Sequence, residues 1–145
     1  MSMTRREMCL LFPSGVLPAW LGANQAEQEP SLPTAMFPFD RLPVHTSSTA
    51  VTRAVLKGKL STGESLEVHE TTLPPGDAPH PPHHHAHSEM WLIREGTVDI
   101  TVNDLTTRLG PGSLGFVRSN DEHGIKNVGL VPAIYFVVAI GPGAS

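Results

Sequence analysis

Cysteine is nearly absent: Cys9 is the only one in 145 residues. A single thiol forbids an intrachain disulfide and a thiolate-rich metal knot, and it leaves the redox compartment open. Basic residues are also scarce, with ten Lys and Arg against fourteen Asp and Glu, for a formal net charge of -4. No Lys/Arg stripe could track a phosphate backbone, which argues against a nucleic-acid partner. Beyond residue 28 no apolar stretch approaches the ~20 uninterrupted residues of a membrane helix. No internal repeat is long enough to imply two barrels in one chain.

Turn formers are plentiful instead. The chain has 13 Gly and 14 Pro, not gathered into low-complexity runs, and 39% hydrophobic residues. That suits one packed domain of short strands joined by turns.

The N-terminus carries mixed signals. Arg5-Arg6 precedes a charge-free stretch from Met8 to Ala26 that contains Leu10, Leu11, Phe12, Val16, Leu17, Trp20 and Leu21. A basic start, an apolar centre and small residues near Ala23 and Ala26 resemble an export signal, and the arginine pair hints at the twin-arginine kind. Pro13, Gly15 and Pro18 interrupt that centre, which favours an arm packed on the barrel or on a second subunit. Export to the periplasm and residence in the cytoplasm are equally open. Glu27 to Pro43, with four prolines, reads as an extended connector. Residues 1–43 are thus assigned to an arm or signal plus connector, and 44–145 to the folded barrel.

From Ala50 onward the period becomes two. Strands are expected over Val51–Leu60, Ser65–Leu73, Glu89–Arg94, Thr97–Val102, Thr106–Leu109, Ser113–Val117, Gly124–Val128 and Ala133–Ile140. Asn103-Asp104 supplies one turn. The last run is unbroken and apolar, so both of its faces should be covered, most simply by the core on one side and a second copy on the other. Outward-facing Met90 and Leu92 point the same way, and a homodimer is expected. The pattern as a whole is an all-β sandwich or barrel.

Five of eight histidines fall between His80 and His87. Side chains alternate across an extended chain, so His83, His85, His87 and Glu89 share one face and His84 takes the other. Imidazole and carboxylate suit Fe, Mn, Ni, Cu or Zn. A bound divalent cation would also offset the desolvation of several such groups. Parity does not choose between His85 and His87, and it permits a triad of His87, Glu89 and a distant histidine. A solvated histidine tract is the plain alternative.

Here the sequence resembles the cupin superfamily. The first cupin motif places His-x-His three or four residues before Glu, with Gly six residues further on; His83, His85, Glu89 and Gly96 match it. Upstream, Gly76 lies one residue further from His83 than the motif prefers. The second motif is matched by Gly112, His123 and Asn127 in register, with Arg118 where the family has proline and Asn120 where it has glycine. Asn tolerates a left-handed backbone, so that turn can survive. Arg118 is expected in solvent. The resemblance implies a six- to eight-stranded jelly-roll barrel holding one metal ion with His83, His85, Glu89 and His123, and one or two coordination positions left for water, dioxygen or substrate.

Other residues follow from these. Trp91 and Ile93 share Glu89's parity and should wall the pocket, with Phe116 and Tyr135 as further lining candidates. His87 is the candidate catalytic base, with a structural or solvated role as the alternative. His80 sits near the mouth, and His69 or Glu70 could line the cavity or the surface. Asn127 should brace the second-motif turn. The expected activity is metal-dependent chemistry on a small organic molecule, either dioxygenase-like with iron or Lewis-acid isomerase or lyase chemistry. A non-catalytic metal–ligand binding module is the alternative.

Overall fold

The computed structural model describes residues 31–144. The export-signal reading of residues 1–26 lies outside them. Among the described residues the only helical turn is Phe39–Arg41, and no helix is long and apolar enough to cross a membrane. The rest is strand and turn: β1 (Val44–Thr46), β2 (Val51–Lys59), β3 (Ser65–Leu73), β4 (Ser88–Glu95), β5 (Val98–Val102), β6 (Leu105–Leu109), β7 (Leu114–Val117), β8 (His123–Asn127) and β9 (Ala133–Ile140). They form two antiparallel sheets, one in the order β1-β2-β3-β9-β4-β7 and one in the order β6-β5-β8. Packed face to face they make the jelly-roll barrel.

Period-two burial explains why these segments are strands. β9 alternates buried and half-buried along its whole length: Ala133, Tyr135, Val137 and Ala139 face the core, while Ile134, Phe136, Val138 and Ile140 face outward. Trp91 and Ile93 from β4, Leu73 from β3, Val98 and Ile100 from β5 and Ile125 from β8 complete the core. Asn103 and Asp104 both have positive φ, 46° and 68°, and join β5 to β6 as a two-residue hairpin loop. Asn120 stands at φ 65°, the left-handed position that the second motif gives to glycine. Gly96 needs its missing side chain: a Cβ there would lie 2.6 Å from the Cα of Ala133.

Register turns the inner face of the large sheet into a grid. Glu67, Ala139 and Glu89 stand side by side across β3, β9 and β4; so do His69, Val137 and Trp91, and then Thr71, Tyr135 and Ile93. This grid is the floor under the histidines.

Two elements depart from the expectation. β1 is a three-residue strand exposed at every position, so no hydrophobic alternation announces it. The histidine segment is not itself a strand, because β4 starts only at Ser88. It still alternates, with His83, His85 and His87 half-buried and His84 and Ala86 exposed. The connector is not free of contacts: Leu32 N–H donates to Lys59 O at 2.7 Å. Phe39 lies under the guanidinium groups of Arg53 and Arg94, at 4.7 and 5.8 Å from its ring centre.

Candidate metal centre

Backbone pairing brings the distant histidine to the cluster. His83 and His123 form an isolated antiparallel bridge, His83 N–H donating to His123 O at 3.0 Å and His123 N–H to His83 O at 2.8 Å. β8 therefore delivers His123 beside a segment forty residues earlier in the chain. The ring centres of His83 and His123 are 4.7 Å apart, those of His85 and His123 4.6 Å and those of His83 and His85 5.2 Å. One ligand atom from each of the three lies within 4.8 Å of the others.

Hydrogen bonds decide which nitrogens are available. His123 Nδ1 lies 2.8 Å from Asp121 O, and His85 Nδ1 lies 2.9 Å from His87 O. A carbonyl only accepts, so both Nδ1 atoms carry the proton, and the Nε2 of His123 presents a lone pair. His123 Nε2 is buried without a partner, and so is His83 Nδ1. His85 Nε2 lies 3.0 Å from Glu89 Oε2. Lone pair against carboxylate at that distance is repulsive unless a proton or cation lies between them. Buried acceptors left unpaired are costly, and a divalent cation could satisfy the imidazole nitrogens of His83, His85 and His123; Glu89, like His87, falls in a second group that shares only His85 with the first. Burial holds the His83 imidazole at about 4, well below its ordinary range, with the neighbouring His80, His123, His85 and His87 adding to the shift. A group kept neutral at pH 7 is ready to bind a metal.

His87 does not join this group of three. It belongs to a second one, with His85 and Glu89. Its ring stacks on His85 at 3.5 Å with 17° between the planes, and its Nε2 lies 3.9 Å from Glu89 Oε2. An ion takes an imidazole lone pair in the ring plane at ~2.1 Å, so two parallel rings do not aim at one ion. His85 and His87 compete for a cation. Burial, followed by the His85 neighbour, holds the His87 imidazole below its usual range, against the pull of Glu89 and Glu67.

A cavity of about 240 Å³ opens beside the cluster. Glu89, His123, Trp91 and Tyr135 line it, with His80 at the exposed mouth. Burial pushes the Tyr135 phenol up, reinforced by the Glu89 charge and partly offset by a hydrogen bond with Thr71. Two expected lining residues are elsewhere. Ile93 is in the core and does not line the cavity, although Thr71 and Tyr135 of the same row do. Phe116 is 60% exposed on the far side of edge strand β7, because its neighbours Gly115 and Val117 are the residues that face in. His83, His85 and His87 are not among the cavity's walls, so His123 alone of the three clustered histidines faces it.

His69 lines the cavity, whereas Glu70 does not. Glu70 is buried under the outer face, with Arg94 Nη1 at 2.9 Å and Arg53 Nη1 at 3.7 Å. The alternation of β3 hid this, since adjacent Glu70 and Thr71 are both buried. Arg118 is solvated and pairs with Asp121 at 2.9 Å.

Two antiparallel sheets closed into a barrel around a histidine cluster that could hold a metal ion define a jelly-roll β-protein. More narrowly, the chain belongs to the cupin superfamily: the family described as Cupin domain matches residues 69–139. Solved structures agree on the fold. An RmlC-like cupin from Shewanella frigidimarina superposes with a TM-score of 0.63 at 17% identity, covering 76% of this chain and 94% of that one. A predicted oxalate decarboxylase from Thermotoga maritima gives 0.63 at 17% identity over 74% of this chain and 99% of that one. Among curated proteins, the L-ectoine synthases of Bordetella parapertussis and Bordetella bronchiseptica are 38% identical over 79 residues, 53% of this chain. The aligned part spans 58% of those relatives' length.

Proposed function

We propose that this cupin is a metal-dependent enzyme acting on a small organic molecule, with one divalent ion held by His83, His85, Glu89 and His123. The observation that carries the reading is the pair of buried, partnerless imidazole nitrogens on His83 and His123, converging with His85. A structural histidine pair would have satisfied those atoms within the protein. A bound divalent ion would act as a Lewis acid, polarising a carbonyl or carboxyl oxygen of the substrate.

The protein's own groups do the rest. Trp91 and Tyr135 shape an enclosed wall, and the hydroxyls of Thr52, Thr71 and Tyr135 offer hydrogen bonds to a polar ligand. A space of about 240 Å³ suits a compact substrate. No Lys or Arg lines it, so an anionic substrate would depend on the metal centre for its countercharge. The partial likeness to synthases favours non-redox chemistry over the dioxygenase-like alternative. A homodimer formed through the outer face of the large sheet is part of the same proposal. Its support is the outward apolar row of β9 beside Met90, Leu92, Leu114 and Phe116.

Metal content by mass spectrometry after anaerobic purification tests the reading. Wild type should hold about one ion per chain. His83→Ala and His123→Ala should lose it, and His87→Ala should keep it. Retention in His123→Ala together with loss in His87→Ala would replace the ligand set by His85, His87 and Glu89. A chain that takes up no ion under any loading condition would sink the proposal.

A further inference from the structure

The cavity has a second chemical group besides the histidine cluster. His69 projects from β3 onto the same floor as Trp91, two strands away with Val137 between them. Its Nδ1 lies 3.3 Å from Glu67 Oε1, and the other oxygen of Glu67 lies 3.4 Å from Lys57 Nζ. Lys57, Glu67 and His69 therefore form a chain from solvent to cavity, running cation, carboxylate, imidazole. The contact is close but is not formed as a hydrogen bond; a carboxylate accepts and does not donate, so closing it would place the proton on Nδ1 and leave the Nε2 lone pair as the free position of the ring. Carboxylate–imidazole contacts of this kind orient a base, and they are often long before substrate binds. Glu67 itself stands level with Glu89, across Ala139, so the pair sits one small residue away from the metal group.

We propose that Glu67 and His69 are the proton-transfer pair of this cavity, with Glu67 positioning the ring and His69 Nε2 taking and returning a substrate proton. This rests on the metal-enzyme reading for its reaction. The substrate class is a small chelating carbonyl compound with a proton on the carbon next to the carbonyl. In the step, the C–H bond breaks, its electron pair stays with the substrate as the enolate, and the N–H bond forms on His69 Nε2. Return of a solvent-derived proton restores both partners. This role belongs to His69 rather than to His87, whose ring is stacked on His85 and does not line the cavity.

The test uses the full chain loaded with zinc, as wild type and as Glu67→Gln, Glu67→Asp and His69→Gln. Zinc content is measured, and each histidine is labelled with diethyl pyrocarbonate and followed by peptide mass spectrometry. Exchange of the methyl protons of pyruvate for solvent deuterium is followed by proton magnetic resonance. His69 should label about fivefold faster than exposed His84, Glu67→Gln should remove that advantage, and Glu67→Asp should restore most of it. His69→Gln should keep its zinc and lose exchange by about a hundredfold, the usual weight of a general base. Labelling of His69 that is no faster than His84, or that ignores Glu67, would overturn the proposal. So would a zinc-loaded wild type that exchanges pyruvate no faster than His69→Gln. Wild type that binds no zinc while His69 still labels fast in a Glu67-dependent way would refute the metal reading and support the pair.

Discussion

The two ends of β8 carry buried polar side chains on the same inward face, and they are treated in opposite ways. Asn127 is 0% exposed, and its amide is fully used: Nδ2 donates to Leu73 O at 2.8 Å and Val131 O at 2.9 Å, and Oδ1 accepts from Gly129 N–H at 2.9 Å. His123 is 2% exposed and uses only Nδ1, leaving Nε2 without a partner. Four residues apart on one strand, one side chain closes the fold and the other keeps a buried nitrogen without a hydrogen-bond partner. The difference shows that burial alone does not mark a site; burial with an unmet lone pair does. Glu70 falls on the Asn127 side of this divide, buried but answered by two arginines.

The largest expected effect strikes the satisfied end. Asn127→Ala strips three backbone groups of their partners, at about 1 kcal/mol or more each, so denaturant unfolding should show a loss of about 3 kcal/mol. Metal content of the folded fraction should not change. Equal loss in metal and stability would break the comparison.

Glu70→Ala should cost about 2 kcal/mol by the same measurement. It leaves Arg94 and Arg53 without their carboxylate, but both arginines keep some access to water, which softens the full penalty of a broken buried pair. It should also loosen Phe39 from the outer face, seen as faster proteolysis of the preceding segment.

His123→Ala should reverse the pattern. Metal binding should vanish, yet the metal-free protein should lose only about 1 kcal/mol, because the deleted ring carried an unmet acceptor as well as one hydrogen bond. A loss matching that of Asn127→Ala would make His123 a structural residue.

A pH series on the metal-free protein should give the smallest signal. The folded pKa of His83 is depressed to about 4 from 6.5. The unfolded chain therefore binds the proton first, and stability is full above about pH 6.5 and falls as pH drops toward 4. His83→Gln should flatten that part of the profile, and bound zinc should steepen it, since protons then compete with the ion.

Much of the fold was legible before the structure. The expected bounds of Ser65–Leu73 and Ala133–Ile140 coincide with β3 and β9, because Gly63, Pro74 and the flanking loops punctuate clear apolar segments. The Asn103-Asp104 turn followed from residue type, and the left-handed Asn120 from its place at the glycine of the second cupin motif. The half-buried face shared by His83, His85 and His87 followed from parity, even though the segment is not hydrogen-bonded as a strand. Parity failed where burial does not alternate: the β3 run from Glu70 to Thr71 concealed which residue faces the cavity. Phe116 was offered as a lining residue without a parity argument, and the alternation of β7, with Gly115 and Val117 inward, puts it outside.

The sequence by itself determined the all-β class, the histidine-rich face and, through two spaced motifs, the cupin barrel, because strand period and turn chemistry are local properties of the chain. Only the tertiary structure decided which imidazole nitrogens lack partners, how His85 and His87 stack, and that His69 faces the cavity. Those facts depend on strand register and on hydrogen bonds between residues distant in the chain, such as the His83–His123 bridge, and no local pattern encodes them.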